Sequence, residues 1–219
     1  MKYYLDITLL PDTEITLGFI WQKVYQQIHI ALVEHGYESE RKLKRGDTKI
    51  LRNSKIAVSF PEYKNHTFPL GSKLRLFAQT KEELEMLDIQ SWLNRLIDYV
   101  GIGSIHLVPD VAGEVVFQQK RVKGIKRLDE SLQKKANHIS TKFGVDFNTC
   151  LKDLKAKHSF EKCLAPFIQL ESQSSKQSGE RGVFQLYIEK LECFEPAKGE
   201  YDCYGLALSK TATVPWFSA

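Results

Sequence analysis

The chain opens on an alternation of apolar and polar residues that predicts a β-strand. The alternation covers residues 2–10, with Leu5 and Ile7 on one side and Asp6 on the other, and it has the two-residue period of a half-buried strand. Pro11 ends it, because proline and the aspartate after it favour a turn. The period then becomes helical over residues 17–34, and Gly36 is placed to end that helix. The apolar stripe of the helix is Ile20, Trp21, Val24, Tyr25, Ile28, Ala31 and Leu32.

The rest of the first half continues the same order of elements. Short apolar runs predict strands over residues 55–60, 73–78 and 103–109, and helical spacing predicts helices over 82–87 and 90–99. The stretch 38–54 is polar and basic, so we predict a loop or an insertion there. The resulting order, β-α-β-β-α-β, is the ferredoxin-like pattern.

The second half mixes strands and helices again. Strands are predicted over 114–121, 167–172, 182–191 and 201–208. A helix capped by Asp129 or Ser131 should run to about residue 143, and another should cover 146–158. We therefore expect an α+β protein: a ferredoxin-like domain over 1–110, then a smaller α+β domain over 111–219 that carries a basic helix.

Composition excludes several classes of protein. The chain has 219 residues, of which 42% are hydrophobic and 26% charged, so it can bury a real core. Its apolar runs are too short for a transmembrane helix, and Asp6 comes too early for a signal peptide. We expect no membrane partner and a cytoplasmic location. The four cysteines form no C-x-x-C pair, which favours free thiols and disfavours a zinc site.

Positive charge is concentrated in two stretches. Residues 118–157 hold 11 Lys and Arg against 4 Asp and Glu, although the net charge of the chain is only +4. A basic helix of this kind favours phosphate binding over a merely solvated surface. Residues 41–55 hold seven basic residues and one acid. There the solvated loop is the simpler interpretation.

Candidate catalytic residues are sparse. His29 lies beside the apolar stripe of the first helix, and by spacing alone a partly buried structural histidine is the simpler interpretation. Residues 171–179 gather hydroxyl and amide side chains between two strands. This stretch is either a polar hairpin loop or a set of donors for phosphate and ribose oxygens. The chain has no G-x-S-x-G elbow and no phosphate-binding G-x-x-x-x-G-K-[ST] loop.

A set of short motifs, in matching order along nearly the whole chain, resembles one known family. The motifs are Tyr4-Leu5-Asp6-Ile7, Pro11-Asp12, His29 with Ala31-Leu32, Val58-Ser59-Phe60-Pro61, Leu70-Gly71 with Leu74-Arg75, Ser172-Gln173-Ser174, Cys203-Tyr204-Gly205-Leu206 and Val214-Pro215-Trp216-Phe217. Together they resemble the repeat-cleaving endoribonuclease of subtype I-F CRISPR systems. The ferredoxin-like domain over 1–110 would then carry the catalytic histidine, and 111–219 would be an RNA-binding domain with a Ser-rich loop.

The resemblance implies a metal-independent endoribonuclease without cofactor. Its substrate would be the repeat hairpin of precursor CRISPR RNA, cut at the 3′ base of the stem to leave a 2′,3′-cyclic phosphate and a 5′-hydroxyl. The protein would stay on its product and join the other subunits of the surveillance complex. Two alternatives stay open: a hairpin-binding module that does not cut, and a metal-dependent nuclease.

The resemblance also implies roles for single residues. His29 matches the catalytic histidine, Ser172 the serine that orients the attacking hydroxyl, and Tyr204 a tyrosine packed on the histidine. Phe184 matches an aromatic that stacks on the last base pair, and Arg121 an arginine that reads a guanine. Further RNA contacts are expected at Lys126, Arg127, Lys134, Lys135, His138 and Ser174.

The sequence departs from the family pattern in three places. Lys123 stands where the family has an adenine-reading glutamine, so the base preference there is open. The basic helix is richer in lysine than in arginine, and lysine makes no bidentate fork with phosphate. We therefore expect stem binding to be weaker and more salt-sensitive. Finally, residues 37–55 resemble an insertion without a counterpart.

Overall fold

The structure is a computed structural model that describes residues 1–10, 12–42, 46–110, 113–122, 125–157, 163–172, 182–193 and 195–217. Its elements, in chain order, are β1 Tyr3–Leu9, α1 Leu17–Glu34, β2 Tyr37–Lys42, β3 Thr48–Ser54, β4 Ala57–Ser59, β5 Lys73–Ala78, α2 Lys81–Leu87, α3 Ile89–Trp92, β6 Val100–Leu107, β7 Gly113–Gln119, α4 Ile125–Phe143, α5 Phe147–Lys157, β8 Phe167–Glu171, β9 Val183–Cys193, β10 Tyr201–Asp202 and β11 Val214–Trp216. A 3-10 turn covers Asn94–Tyr99.

The chain forms two compact units, residues 1–120 with 165–219, and residues 121–164. The molecule is thus a mixed α+β protein with several antiparallel sheets. The expected division at residue 110 into a ferredoxin-like domain and a smaller RNA-binding domain stays a prediction.

The first sheet has the strand order β4-β5-β1-β6, with every neighbouring pair antiparallel. The predicted alternation in β1 is confirmed, since Leu5, Ile7 and Leu9 are buried. The predicted bounds of α1 are confirmed as well, and the apolar stripe of this helix is buried. Each buried isoleucine, leucine or valine of the stripe contributes about 1.5–3 kcal/mol, so this stripe fixes α1 on the core that it shares with the sheet.

A buried ion pair ties the C-terminal segment to the first sheet. Arg75 on β5 is 2% exposed and makes a bidentate contact with Asp6 on β1, at 2.6 and 2.8 Å. Its third nitrogen donates to the carbonyl of Phe217 at 3.2 Å, and its guanidinium lies 3.9 Å from the centre of that ring. The end of the described chain is therefore held by charge and by ring contact.

The prediction of a loop over residues 38–54 is wrong. β2 and β3 form an antiparallel hairpin, and β3 pairs with β10 to give a sheet of order β10-β3-β2. Most side chains of the hairpin are exposed on both faces. A strand solvated on both faces lacks the apolar–polar alternation by which strands are recognised, and for that reason its pattern resembled a loop.

A third sheet, of order β11-β7-β9-β8, completes the first unit. Its strands pair antiparallel, with β9 in the middle between β7 and β8. The buried side chains of Val115, Leu186 and Ile188 join the same apolar core as α1. The strand predicted over 201–208 stops at Asp202, because the chain turns at Tyr204 and Gly205.

The second unit is an antiparallel helix pair. Leu132 and Ala136 on α4 pack against Cys150 and Leu154 on α5, and Lys155 pairs with Asp129 at 2.7 Å. The prediction that Asp129 or Ser131 caps the first of these helices is wrong, because α4 already begins at Ile125. His158, the expected end of α5, lies outside the described residues.

One further element differs from its prediction. The helix expected over 90–99 is broken at Leu93 (φ −98°, ψ 6°) into α3 and the 3-10 turn, and Leu96 within that turn also leaves helical geometry at φ −119°. Across the described residues, no helix combines the length and the apolar character needed to span a bilayer.

Candidate active site

His29 lies on α1, one residue after the buried stripe residue Ile28, and its ring is half-buried. Its Nδ1 is 2.8 Å from the backbone carbonyl oxygen of Cys203, far along the chain. A carbonyl oxygen only accepts hydrogen bonds, so Nδ1 carries the proton. The lone pair of the neutral ring is therefore on Nε2. This arrangement leaves Nε2 as the atom of His29 that can take a proton from another group.

Tyr204 holds the imidazole from one face. The two rings are stacked with centroids 4.1 Å apart and an angle of 14° between their planes. Tyr25, one turn before His29 on α1, donates its hydroxyl to the backbone carbonyl of Tyr204 at 2.9 Å. The same helix therefore presents the histidine and anchors the residue that stacks on it.

The turn after β10 positions both Cys203 and Tyr204. The backbone N–H groups of Tyr204 and Leu206 donate to Oδ1 of Asp202, at 2.8 and 3.0 Å. Gly205 has φ +72°, and a Cβ there would come within 2.4 Å of Cγ2 of Val58. Only glycine adopts this conformation at low cost and allows the close approach. The local pattern of aspartate, two residues and glycine thus sets the direction of the carbonyl that binds His29.

Burial keeps the ionisable groups of the site neutral. The pKa of His29 is lowered because burial disfavours the imidazolium, and the hydrogen bond to Cys203 opposes this only in part. Burial raises the pKa of Tyr204 to about 12 and that of the Cys203 thiol to about 11. At neutral pH the site thus offers a neutral imidazole on a neutral phenol ring.

Ser172 directly follows β8, whose end lies against α1. The side-chain oxygen of Gln26 on α1 accepts a hydrogen bond from the backbone N–H of Glu171 at 3.1 Å, and Lys23 pairs with Glu171 at 4.0 Å. Gln26 precedes His29 by three residues and so lies on the same side of the helix. The backbone N–H of Ser172 donates to the carbonyl of Gly182 at 2.7 Å, which fixes the backbone of Ser172 at the end of β8.

Phe184 also reaches the site. It lies on β9 opposite Leu170 on β8, and its ring meets Tyr204 edge-on, with centroids 6.3 Å apart and planes at 72°. The structure therefore groups His29, Tyr204 and Phe184 by direct ring contacts.

The expected RNA-binding residues outside this cluster are placed as follows. Lys134, Lys135 and His138 are exposed on α4, and Arg121 is exposed before it. Lys134 and His138 are one helical turn apart and opposite the face that packs on α5. The backbones of Lys126 and Arg127 belong to α4, and the structure does not describe their side chains. Lys123 and Ser174 lie outside the described residues altogether.

Sequence reasoning missed three residues that shape the site: Tyr25, Asp202 and Gly205. Tyr25 was assigned only to the apolar stripe. The spacing of Asp202 and Gly205 is a turn signal that could have been read in advance. The described residues contain no group of three or more His, Cys, Asp or Glu side chains arranged to hold a metal ion.

Comparisons with known proteins bear on this geometry. The family model for "CRISPR-associated protein (Cas_Csy4)" matches residues 4–217. Two relatives are named "CRISPR-associated endonuclease Cas6/Csy4". The one from Escherichia coli (strain UTI89 / UPEC) is 29% identical over 218 residues, and the one from Pseudomonas aeruginosa (strain UCBPP-PA14) is 29% identical over 224 residues. Each alignment covers 99% of this chain and 100% of the relative.

A solved structure titled "An RAMP protein binding different RNA substrates" is 12% identical and covers 99% of this chain and 100% of its own, with a TM-score of 0.29. That score is too low to support an argument. The family match, in contrast, extends over nearly the whole chain and confirms the resemblance seen in the sequence motifs. The chain belongs to the Csy4 family of CRISPR-associated proteins.

Proposed function

We propose that this protein is a metal-independent endoribonuclease that cuts the repeat hairpin of precursor CRISPR RNA at the 3′ base of its stem. The observation that carries the proposal is the hydrogen bond from Nδ1–H of His29 to Cys203, because it leaves Nε2 as a proton acceptor. The names of the two relatives as CRISPR-associated endonucleases support the reaction class.

In the proposed reaction, the RNA supplies its own nucleophile. Nε2 of His29 takes the proton of a ribose 2′-hydroxyl, and the 2′-oxygen attacks the adjacent phosphorus. The bond from phosphorus to the 5′-oxygen breaks, that oxygen takes up a proton, and the imidazolium returns its proton to solvent. The products are a 2′,3′-cyclic phosphate and a 5′-hydroxyl. General-base catalysis of this kind contributes about 10²–10⁴-fold.

Ser172 and Tyr204 would act on geometry rather than on protons. Ser172 follows Glu171, whose backbone N–H donates to Gln26 on the His29 side of α1, and the hydroxyl of Ser172 would hold the 2′-hydroxyl in line. Tyr204 stacks on the imidazole and would keep Nε2 directed at the RNA. In-line placement of reacting atoms is itself a large contribution to the rate.

Recognition of the stem is assigned to the basic residues and to one aromatic. Lys134, Lys135 and His138 are exposed on α4 and would follow the phosphates, together with Lys126, Arg127 and Ser174. Arg121 would make a bidentate contact with a guanine, beside the base read by Lys123. Phe184 would stack on the last base pair and so set the cut position.

Two further parts of the proposal concern architecture and assembly. The sheet order β4-β5-β1-β6, with α1 after β1 and α2 after β5, supports a ferredoxin-like arrangement of the first half. We also propose that the protein stays on the cleaved hairpin and joins the other subunits of the surveillance complex.

The test compares His29→Ala with His35→Ala on repeat-hairpin RNA in EDTA. His35 ends the same helix and is exposed, so it is a matched control. We expect the wild type and His35→Ala to cut, and His29→Ala to bind with similar affinity but to cut about 10²–10⁴-fold more slowly. The downstream product should carry a free 5′-hydroxyl, and a 2′-deoxy residue at the cut should block cleavage.

Other outcomes would reject the proposal in distinct ways. Binding without cleavage by the wild type would indicate a hairpin-binding module. Cleavage that stops in EDTA and returns with a divalent cation would indicate a metal-dependent nuclease. Undiminished cleavage by His29→Ala would remove His29 as the base.

A further inference from the structure

The basic hairpin of β2 and β3 has a charge distribution that changes along its length. Near its base, Arg52 is neutralised: Nη1 lies 3.5 Å from Oε1 of Glu38, and Nε donates to the carbonyl of Val33 at 3.1 Å. Toward the turn, Arg41, Lys42 and Lys49 are exposed, and in the described part of the chain none of the three forms an ion pair. The free positive charge is therefore at the far end.

The pairing of the strands makes this end unfavourable for folding. Arg41 on β2 lies directly opposite Lys49 on β3, on the same face of the ribbon. Like charges at opposed positions destabilise a strand pair. Between residues 41 and 49 the sequence has five basic residues and the single acid Asp47. An anionic ligand bound at this end would compensate the repulsion, because clustered positive charge attracts anions.

The base of the same hairpin is joined to the candidate active site. Asn53 on β3 pairs with Asp202 on β10, and Asp202 caps the turn that carries Cys203 and Tyr204. Thr48, opposite Lys42, is five residues along β3 from Asn53, which corresponds to about 17 Å of strand. The basic end is thus held about that far along the ribbon from the turn that contacts His29.

The side chains at this end favour a nucleic acid over a protein partner. Ile50 is the large apolar side chain exposed on β3, at 63%, and its neighbours toward the turn are polar or basic. The centres of protein–protein interfaces are enriched in aromatic residues and depleted in lysine. Phosphodiester backbones, in contrast, are bound by exposed lysine and arginine without an apolar centre.

We propose that the end of the β2–β3 hairpin, formed by Arg41, Lys42 and Lys49, binds the phosphate backbone of single-stranded RNA that flanks the repeat stem. This inference rests on the proposed function, since it takes the RNA to be held at His29. It assigns to residues 37–55 a second contact with the precursor, separate from recognition of the stem.

The experiment measures binding of three RNAs that carry a 2′-deoxy residue at the cut. They are the bare hairpin, the hairpin extended on its 5′ side and the hairpin extended on its 3′ side. Each extension is about ten nucleotides long, within the range of single-strand binding sites. The variant is Arg41→Gln/Lys49→Gln. The control is Lys2→Gln/Lys81→Gln, which removes the same charge from exposed positions outside the hairpin. The quantity compared is the ratio of the Kd of the bare hairpin to that of the extended RNA.

We expect the wild type and the control to bind one extended RNA about ten-fold more tightly than the bare hairpin, and the variant to bring the ratio near one. The salt slope for that RNA should fall by about 1.4 in the variant, for two phosphates at about 0.7 each. The extension that increases the affinity of the wild type, 5′ or 3′, identifies the flank that the hairpin of the protein binds. The ratio compares the two RNAs on the same protein. A misfolded variant would lose affinity for both the bare and the extended hairpin, and is recognised in that way.

A wild-type ratio near one for both extended RNAs would overturn the inference, and so would an unchanged ratio in the variant. Either result would favour an acidic protein surface as the binding partner of the basic end. If the wild type bound neither the bare nor the extended hairpin, the proposed function itself would fail. Relief of the Arg41–Lys49 repulsion gives a second check, since the variant should have a Tm no lower than that of the wild type.

Discussion

Nδ1–H of His29 donates a 2.8 Å hydrogen bond to the backbone carbonyl of Cys203, 174 residues later in the chain. This contact selects the tautomer of the imidazole and joins the first helix to a turn near the C-terminus. The ring of Tyr204, the residue after Cys203, then fixes the plane of the imidazole. The reactivity expected of His29 therefore depends on the integrity of a turn far from it in sequence.

The pH dependence of cleavage should report the environment of His29. Its pKa is lowered from the ordinary value of about 6.5, and the base acts only when unprotonated. The rate should therefore be constant near neutral pH and fall as the pH drops through a value below 6.5. The measurement is kcat/KM on hairpin RNA across pH, which reports the free enzyme. A midpoint above 6.5 would contradict the assignment.

The phenyl ring of Tyr204 should matter more than its hydroxyl. Tyr204→Phe keeps the stack on His29, so we expect nearly wild-type cleavage. Tyr204→Ala removes the stack, which is worth about 0.5–1.5 kcal/mol for a ring pair, and should slow cleavage about two- to ten-fold with little change in RNA affinity. Single-turnover rates at saturating enzyme test this. If Tyr204→Phe lost as much activity as Tyr204→Ala, a role for the hydroxyl would follow instead.

Replacement of Gly205 should destabilise the turn that binds His29. Gly205→Ala meets both a positive φ of 72° and Cγ2 of Val58 at 2.4 Å, and such backbone strain costs of order 1–3 kcal/mol. Gly144→Ala is the control, because Gly144 has φ +68° but nothing within 4 Å of an added Cβ. We expect Gly205→Ala to lower the free energy of unfolding more than Gly144→Ala, as measured by urea denaturation. Equal losses would mean that the contact with Val58 has no cost.

The lysines of α4 should contribute affinity and salt dependence without affecting the chemical step. Lys134→Gln should reduce the log–log salt slope of hairpin binding by about 0.7–0.9, the value for one phosphate contact. Lys152→Gln is the control, since Lys152 is exposed on α5 of the same helix pair. Filter binding between low and moderate salt gives both slopes. A slope unchanged by Lys134→Gln would remove α4 from the RNA contact.

The amino-acid sequence by itself determined the elements with one buried face. The bounds of α1, and those of β1 to within one residue, follow from residue patterns alone, because burial of a single face imposes a period of 3.6 or 2 residues. The β2–β3 hairpin was missed for the same reason: with both faces solvated, its strands carry no such period. Its pairing with β10 joins segments that are far apart in the sequence, and a local residue pattern does not predict such a contact.

The candidate site also has a part that the sequence predicted and a part that only the tertiary structure shows. His29 and Tyr204 were identified by resemblance to a family, since spacing alone gave a helix histidine a structural role. Only the tertiary structure decided which nitrogen of His29 carries the proton, and that Tyr25, Asp202 and Gly205 hold the turn against it. The physical reason is that these depend on the direction of one backbone carbonyl and the stacking of two rings, which arise when segments far apart in the chain pack together.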